Sequence, residues 1–145
     1  MNNLFDIKGK VVVITGSTGV LGRTISAYLA QEGAKVVLLG RNVEVGTSLE
    51  KDIKQKGGDC MFLPSDVMNR EVLEQNLADI LNQYGKVDAL INAAGGNMPG
   101  ANISPTGTLF DLKIDDFQKV LELNLLGTVL PTQVFLKPMS EQKRG

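Results

Sequence analysis

Four short apolar runs, each leading toward a longer segment with helical spacing, constrain this 145-residue chain more than any other feature. Lys10 to Thr15 reads as a first strand, and Val20 to Gln31 follows with Leu21, Ile25, Tyr28 and Leu29 at helical spacing before "EGA" ends it. Lys35 to Leu39 is a second strand, followed by a polar helix from about Val43 to Lys56 whose apolar positions include Val45, Leu49 and Ile53. After "KGGD", Asp59 to Leu63 forms a third strand and Asn69 to Tyr84 a third helix, with Val72, Leu73, Leu77, Ile80 and Leu81 on a common side and either Asn69 or Asp66 as its cap. "VDALINAAGG", Val87 to Gly96, is a fourth strand running into small residues. "NMPGANISPTG" is a loop by its glycine and proline content, and a last helical region covers about Ile114 to Lys143. Continuously apolar strands alternating with helices predict an α/β fold: a doubly wound parallel sheet of about four strands, covered by helices on both faces.

Composition limits the function classes. A hydrophobic content of 43% supports one packed domain over residues 1–145 without disulfides or a structural metal. The net charge is −1 with basic residues scattered, so neither nucleic acid nor a membrane surface is an expected partner, and a small molecule is. No histidine is present, which removes Ser-His-Asp and Cys-His catalysis together with the commonest zinc ligand, and nothing in the sequence requires a metal. The lone Cys60 suits a reducing cytoplasm, and "MNNLFDIKGK" has no signal-peptide character. Val120 to Leu136 is the most apolar later stretch, but Glu122, Asn124, Pro131 and Gln133 interrupt it, so it reads as a buried helix rather than a membrane span.

The first strand-to-helix junction carries the chemistry. In a doubly wound sheet, ligands sit beyond the carboxyl ends of the strands, and the first turn offers backbone N–H groups at the positive end of a helix dipole. Gly16, Gly19 and Gly22 leave three positions without Cβ there, which permits a tight turn, close phosphate approach and close packing of helix on strand. A sharp turn with no ligand would use the same glycines, but their place between a first strand and a helix favours dinucleotide phosphate binding. A triphosphate P-loop is disfavoured, because Gly22 is followed by Arg23 and Thr24 rather than a Lys-Ser/Thr pair.

Four segments together resemble the short-chain dehydrogenase/reductase family over essentially the whole chain: "TGSTGVLG" at Thr15 to Gly22, "DV" at Asp66-Val67, "NAAG" at Asn92 to Gly95 and "NLLG" at Asn124 to Gly127. The resemblance implies a Rossmann-type fold, incomplete here, and a nicotinamide dinucleotide held by Thr15, Gly16, Ser17, Thr18, Gly19, Val20, Leu21 and Gly22. It also implies contacts to adenine from Asp66 and Val67, and room for the cofactor at Asn92, Ala93, Ala94 and Gly95. The family's usual TGxxxGxG spacing would put glycine at Val20, whereas this chain has TGxxGxxG, the spacing of the extended subfamily. Read without the resemblance, Asp66 has the alternative of capping the third helix, and the resemblance favours the ligand. Asn124, flanked by leucines, reads on its own as a solvent-facing or kink-stabilising residue, while the resemblance gives it a catalytic role, holding a proton-relay water through its helix's backbone.

Cofactor choice depends on the end of the second strand. A carboxylate there accepts from the ribose 2′-OH and repels a 2′-phosphate, and arginine does the opposite. Here Gly40 stands where NAD-preferring relatives have aspartate and Arg41 follows, so the sequence favours NADP over NAD, the alternative being that Arg41 is merely a solvated surface residue. Ser17 and Thr18 offer hydroxyl donors at the glycine turn but not the extra basic residue that the resemblance leads one to expect there in NADP-preferring relatives.

The family's hydride transfer uses a tyrosine with a lysine four residues later and a serine. A free phenol, with a pKa of about 10, needs that lysine near neutral pH. The only tyrosines are Tyr28 and Tyr84, followed at that spacing by Glu32 and Asp88, and both read as helix-packing residues. The expectation is therefore a dinucleotide-binding part of an oxidoreductase, ending before the Tyr-Lys segment, whose complete form oxidises an alcohol or reduces a ketone. A short nucleotide-binding or interaction module is the alternative. "TGSTGVLG" with "INAAGGNMPGA" is also similar to a sugar-acid subgroup, the mannonate (fructuronate) oxidoreductases, and those relatives would favour NAD. An exposed fourth-strand edge and an apolar face at Leu121, Leu125, Val129 and Phe135 predict self-association into a homo-oligomer.

Overall fold

In the computed structural model, which describes residues 5–145, four parallel strands form one sheet in the order β3-β2-β1-β4. They are β1 (Val11–Thr15), β2 (Lys35–Gly40), β3 (Asp59–Pro64) and β4 (Ala89–Asn92). Every residue of β1 is β-branched and buried, as suits a central strand covered on both faces. Val13 pairs with Val37 on one side and Leu90 on the other. Because successive side chains point to opposite faces, β1 and β2 feed two cores. Val11, Val13, Val37 and Leu39 pack on α3 (Arg70–Tyr84) and α5 (Gly127–Glu141), while Val12, Ile14, Val36 and Leu38 pack toward α1 (Val20–Gln31) and α2 (Val43–Gln55).

Local signals set the helix starts. Asn42 caps α2 by accepting from the Val45 N–H at 3.0 Å. Asn69 does the same for α3, accepting from the Val72 N–H at 3.2 Å, whereas the Asp66 carboxylate accepts from Met68 two residues on. The cap of α3 is thus Asn69, which leaves Asp66 outside the helix. Gly85, in the left-handed region, closes α3 at its other end.

Several expectations shift. The sheet ladder of β4 covers only Ala89–Asn92 of the run from Val87 to Gly96. The glycine-proline loop holds two short 3₁₀ turns, Pro99–Ala101 and Leu109–Asp111. The last helical region is not uniform: α4 (Ile114–Leu121) passes through a π-helical turn, Glu122–Leu126, into α5. The face of α1 toward the sheet is Gly22, Ser26 and Ala30, and Leu21 and Tyr28 are exposed. Small residues let this helix lie close to the sheet, Ile25 and Leu29 pack against the core beside them, and Leu21 and Tyr28 turn outward. Tyr28 is therefore not a packing residue. Phe135 is fully buried instead of sharing an exposed face with Leu121, Leu125 and Val129, because six residues beyond Val129 it points about 120° away around the helix, toward the core.

Among the described residues no helix is long and apolar enough to cross a membrane. Residues 1–4, the start of the segment that reads as lacking a signal peptide, lie outside the described residues.

Candidate functional site

The direction of strand order reverses between β1 and β4, which opens a crevice outside their carboxyl ends. A cleft of about 250 Å³ lies there, bounded by the glycine turn, the ends of β2 and β3 and the loop after β4.

Gly16 begins the turn with φ +65°, and a Cβ on it would stand 2.6 Å from the Ala93 carbonyl oxygen, so neither its conformation nor its surroundings admit a side chain. Gly22 lies beneath the turn, where a Cβ would run into the Gly16 carbonyl oxygen. No side chain caps α1, no acidic residue stands in its first turn, and the N–H groups of Val20, Leu21 and Gly22 have no hydrogen-bond partner among the described residues. These bare donors at the positive end of a twelve-residue helix suit an anion.

The sequence-predicted residues divide by what their side chains do. Gly16, Thr18, Gly19, Arg41, Asp66, Val67, Ala93, Ala94 and Gly95 line the cleft. Val20 and Leu21 stand exposed at the start of α1. Thr15 is buried, and its hydroxyl oxygen accepts the N–H groups of Ala93 and Ala94 at 3.2 Å, tying the end of β1 to the loop after β4. Ser17 does not offer its hydroxyl to the cleft as expected. Both its N–H and its hydroxyl donate to the Leu39 carbonyl, at 3.0 and 3.1 Å, and so pin the turn to β2. The Asn92 amide donates to the Thr132 hydroxyl on α5 at 3.1 Å.

At the far end of the cleft, the Asp66 carboxylate and the unbonded Val67 N–H offer an acceptor beside a donor. Arg41 is exposed on the cleft wall, and its guanidinium has no ion-pair or hydrogen-bond partner among the described residues. Asn42, Ser65 and Leu123 also line the cleft, and the sequence reading did not single them out. The Ser65 hydroxyl is buried with no hydrogen-bond partner among the described residues. Only its position directly before the Asp-Val pair hints at the cleft.

Asn124 projects from the π-helical turn and holds the loop after β4 from both sides. Its amide nitrogen donates to the Gly96 carbonyl at 2.8 Å and to Val120, and its oxygen accepts from the Gly96 N–H at 3.3 Å. Its own carbonyl accepts from the Thr128 hydroxyl at 3.0 Å. The residue is exposed, and its amide ties the π-helical turn to the loop after β4.

The tyrosines are elsewhere. Tyr84 donates to Asp59 at 2.9 Å, at the opening residue of β3 and hence at the end of the sheet away from the cleft. Burial pushes its phenol up, and the Asp59 carboxylate pushes it further, away from proton exchange near neutral pH. Tyr28 is exposed on α1.

Comparison with known proteins agrees with this fold. A family model described as short chain dehydrogenase matches residues 10–145. The uncharacterized oxidoreductase UxuB of Bacillus subtilis is 38% identical over 142 residues, a match covering 92% of this chain and 51% of that protein. The structure of a Haemophilus influenza protein provisionally named D-mannonate oxidoreductase, with bound NAD, superposes with TM-score 0.84 at 35% identity and covers 92% of this chain and 51% of that one. A metagenomic short-chain oxidoreductase in complex with NADP gives TM-score 0.81 at 28% identity, covering 97% and 61%. The chain spans about half the length of the curated relatives it matches.

Proposed function

Because the chain belongs to the short-chain dehydrogenase family, we propose that residues 1–145 are the cofactor-binding part of an oxidoreductase that moves a hydride between a nicotinamide dinucleotide and an alcohol or ketone. The observation that carries this reading is the uncapped start of α1 above Gly16, opening on the cleft between β1 and β4. The pyrophosphate is assigned to the free N–H groups of Val20, Leu21 and Gly22, and the adenine to the acceptor and donor at Asp66 and Val67. Arg41, unpartnered on the cleft wall, is assigned to a 2′-phosphate, so NADP is favoured over NAD. When bound, the nicotinamide supplies the hydride acceptor or donor. Asn124 serves the reaction by holding Gly96 in place and offering its backbone carbonyl, which also accepts from the Thr128 hydroxyl, to a proton-relay water.

A sugar acid is the proposed substrate class. The motifs "TGSTGVLG" and "INAAGGNMPGA" support it, as does the name given to the Haemophilus influenza relative. That relative binds NAD, so the Arg41 assignment stands against it. Titrating the protein with NADH and NADPH while following cofactor fluorescence tests both points. Binding of either supports the cleft assignment, and tighter NADH binding overturns the role given to Arg41.

One observation favours a second reading, a nucleotide-binding module without catalysis: neither tyrosine reaches the cleft or precedes a lysine at the required spacing. The intact mass of the native polypeptide separates the two. A mass about twice 15.6 kDa places these residues in a longer enzyme, and one near 15.6 kDa favours the module.

A further inference from the structure

The residue at the end of β2 is glycine for a reason that its own backbone does not supply. Gly40 has no positive φ, so any residue could adopt its conformation. What excludes a side chain is Thr18. A Cβ on Gly40 would stand 2.7 Å from the Thr18 methyl, 2.8 Å from its hydroxyl and 3.3 Å from its Cβ. The two branches of this β-branched side chain straddle the spot, and turning one away leaves its Cβ still in close contact. Thr18 and Gly40 both line the cleft beside Arg41.

This position is where a carboxylate would discriminate against a 2′-phosphate. We propose that Thr18 and Gly40 form a two-residue lock that fixes cofactor choice. Thr18 occupies the volume that an acidic residue at position 40 needs, so the ribose end keeps a neutral floor and Arg41 acts there unopposed. Thr18 is then a specificity-determining residue in its own right. The proposal rests on the reading of the cleft as a dinucleotide site.

Four proteins test it: the wild type, Thr18→Ala, Gly40→Asp and the double variant, each titrated with NADH and NADPH. Gly40→Asp alone is expected to weaken both cofactors about tenfold or more, because its side chain cannot be seated. Adding Thr18→Ala is expected to restore NADH but not NADPH binding, shifting the preference toward NADH by about tenfold relative to either single variant. If Gly40→Asp alone already gives the NADH preference of the double variant, the lock is overturned. If the wild type binds neither cofactor, the reading of the cleft fails first, and the failure is visible before any variant is compared. Where Gly40→Asp does not fold, thermal melting of Gly40→Ala decides: its midpoint should fall and Thr18→Ala should recover it, and an unchanged Gly40→Ala midpoint overturns the lock.

Discussion

Gly16 and Gly22 are bare for related reasons that predict different behaviour. Gly16 needs both its left-handed backbone and the room beside Ala93, while Gly22 needs only room above the Gly16 carbonyl. Both neighbours are backbone atoms, which cannot rotate aside. Gly16→Ala and Gly22→Ala should each lower stability by about 1–3 kcal/mol, read from a lower urea midpoint at unchanged slope, with loss of nucleotide binding. Gly57 supplies the control. It has φ +85° and open space around it, so Gly57→Ala should cost only about 1 kcal/mol of backbone strain and leave binding alone. The glycines are legible in the sequence because their spacing and their place after a strand have few other uses. Ser17 is not, since nothing in "TGST" says that one hydroxyl turns inward to Leu39 while its neighbour lies against Gly40.

Strands and helices follow from apolar runs and caps, and through α3 their bounds lie within a residue of the sequence reading, whereas β4 keeps only Ala89–Asn92 of its run and the last helical region divides. The π-helical turn does not follow, because an extra residue in a helix leaves no periodic mark in a single sequence. Asn124, a mediocre helix former among leucines, is its one visible sign. Asn124→Ala removes the grip on Gly96 and should cost about 1 kcal/mol, since exposed hydrogen bonds contribute modestly. Hydrogen exchange of the Gly96 amide should speed up, and an unchanged rate would show that the loop is held by something else. A second link ties strand starts together: Asp88, before β4, accepts from the Val11 N–H at 2.8 Å and pairs with Lys86. Burial pushes its carboxyl up, but the Lys86 ammonium and the Val11 N–H outweigh burial and hold it below the usual carboxylate range. A depressed pKa means that this stabilisation is present above the unfolded value of about 4 and is lost as pH falls through the folded one. Asp88→Asn should therefore lower stability at neutral pH and flatten the acid limb of the stability profile. A limb as steep as the wild type's would remove Asp88 as its cause.

At the scale of the whole molecule, the sheet order leaves β4 with a partner on one side only, among the described residues. The helix beyond it exposes a row of leucine and valine: Leu121 is 50% exposed, Leu125 63% and Val129 40%. These three positions fall at intervals of four residues and so share a face, continuing through the π-helical turn into α5. An unpaired strand beside an apolar helix face is a surface that proteins normally cover. The sequence reading reaches most of this face and misplaces only Phe135, whose spacing turns it into the core. Light scattering on the 145-residue chain should give a mass above 15.6 kDa that rises with concentration. Replacing Leu125 and Val129 together with glutamine should lower that mass toward the monomer without loss of stability, because neither residue is buried. If association depends instead on the β4 edge, the double variant will associate as the wild type does. A wild-type chain that stays monomeric across the concentration range would show that neither the strand edge nor the helix face drives association.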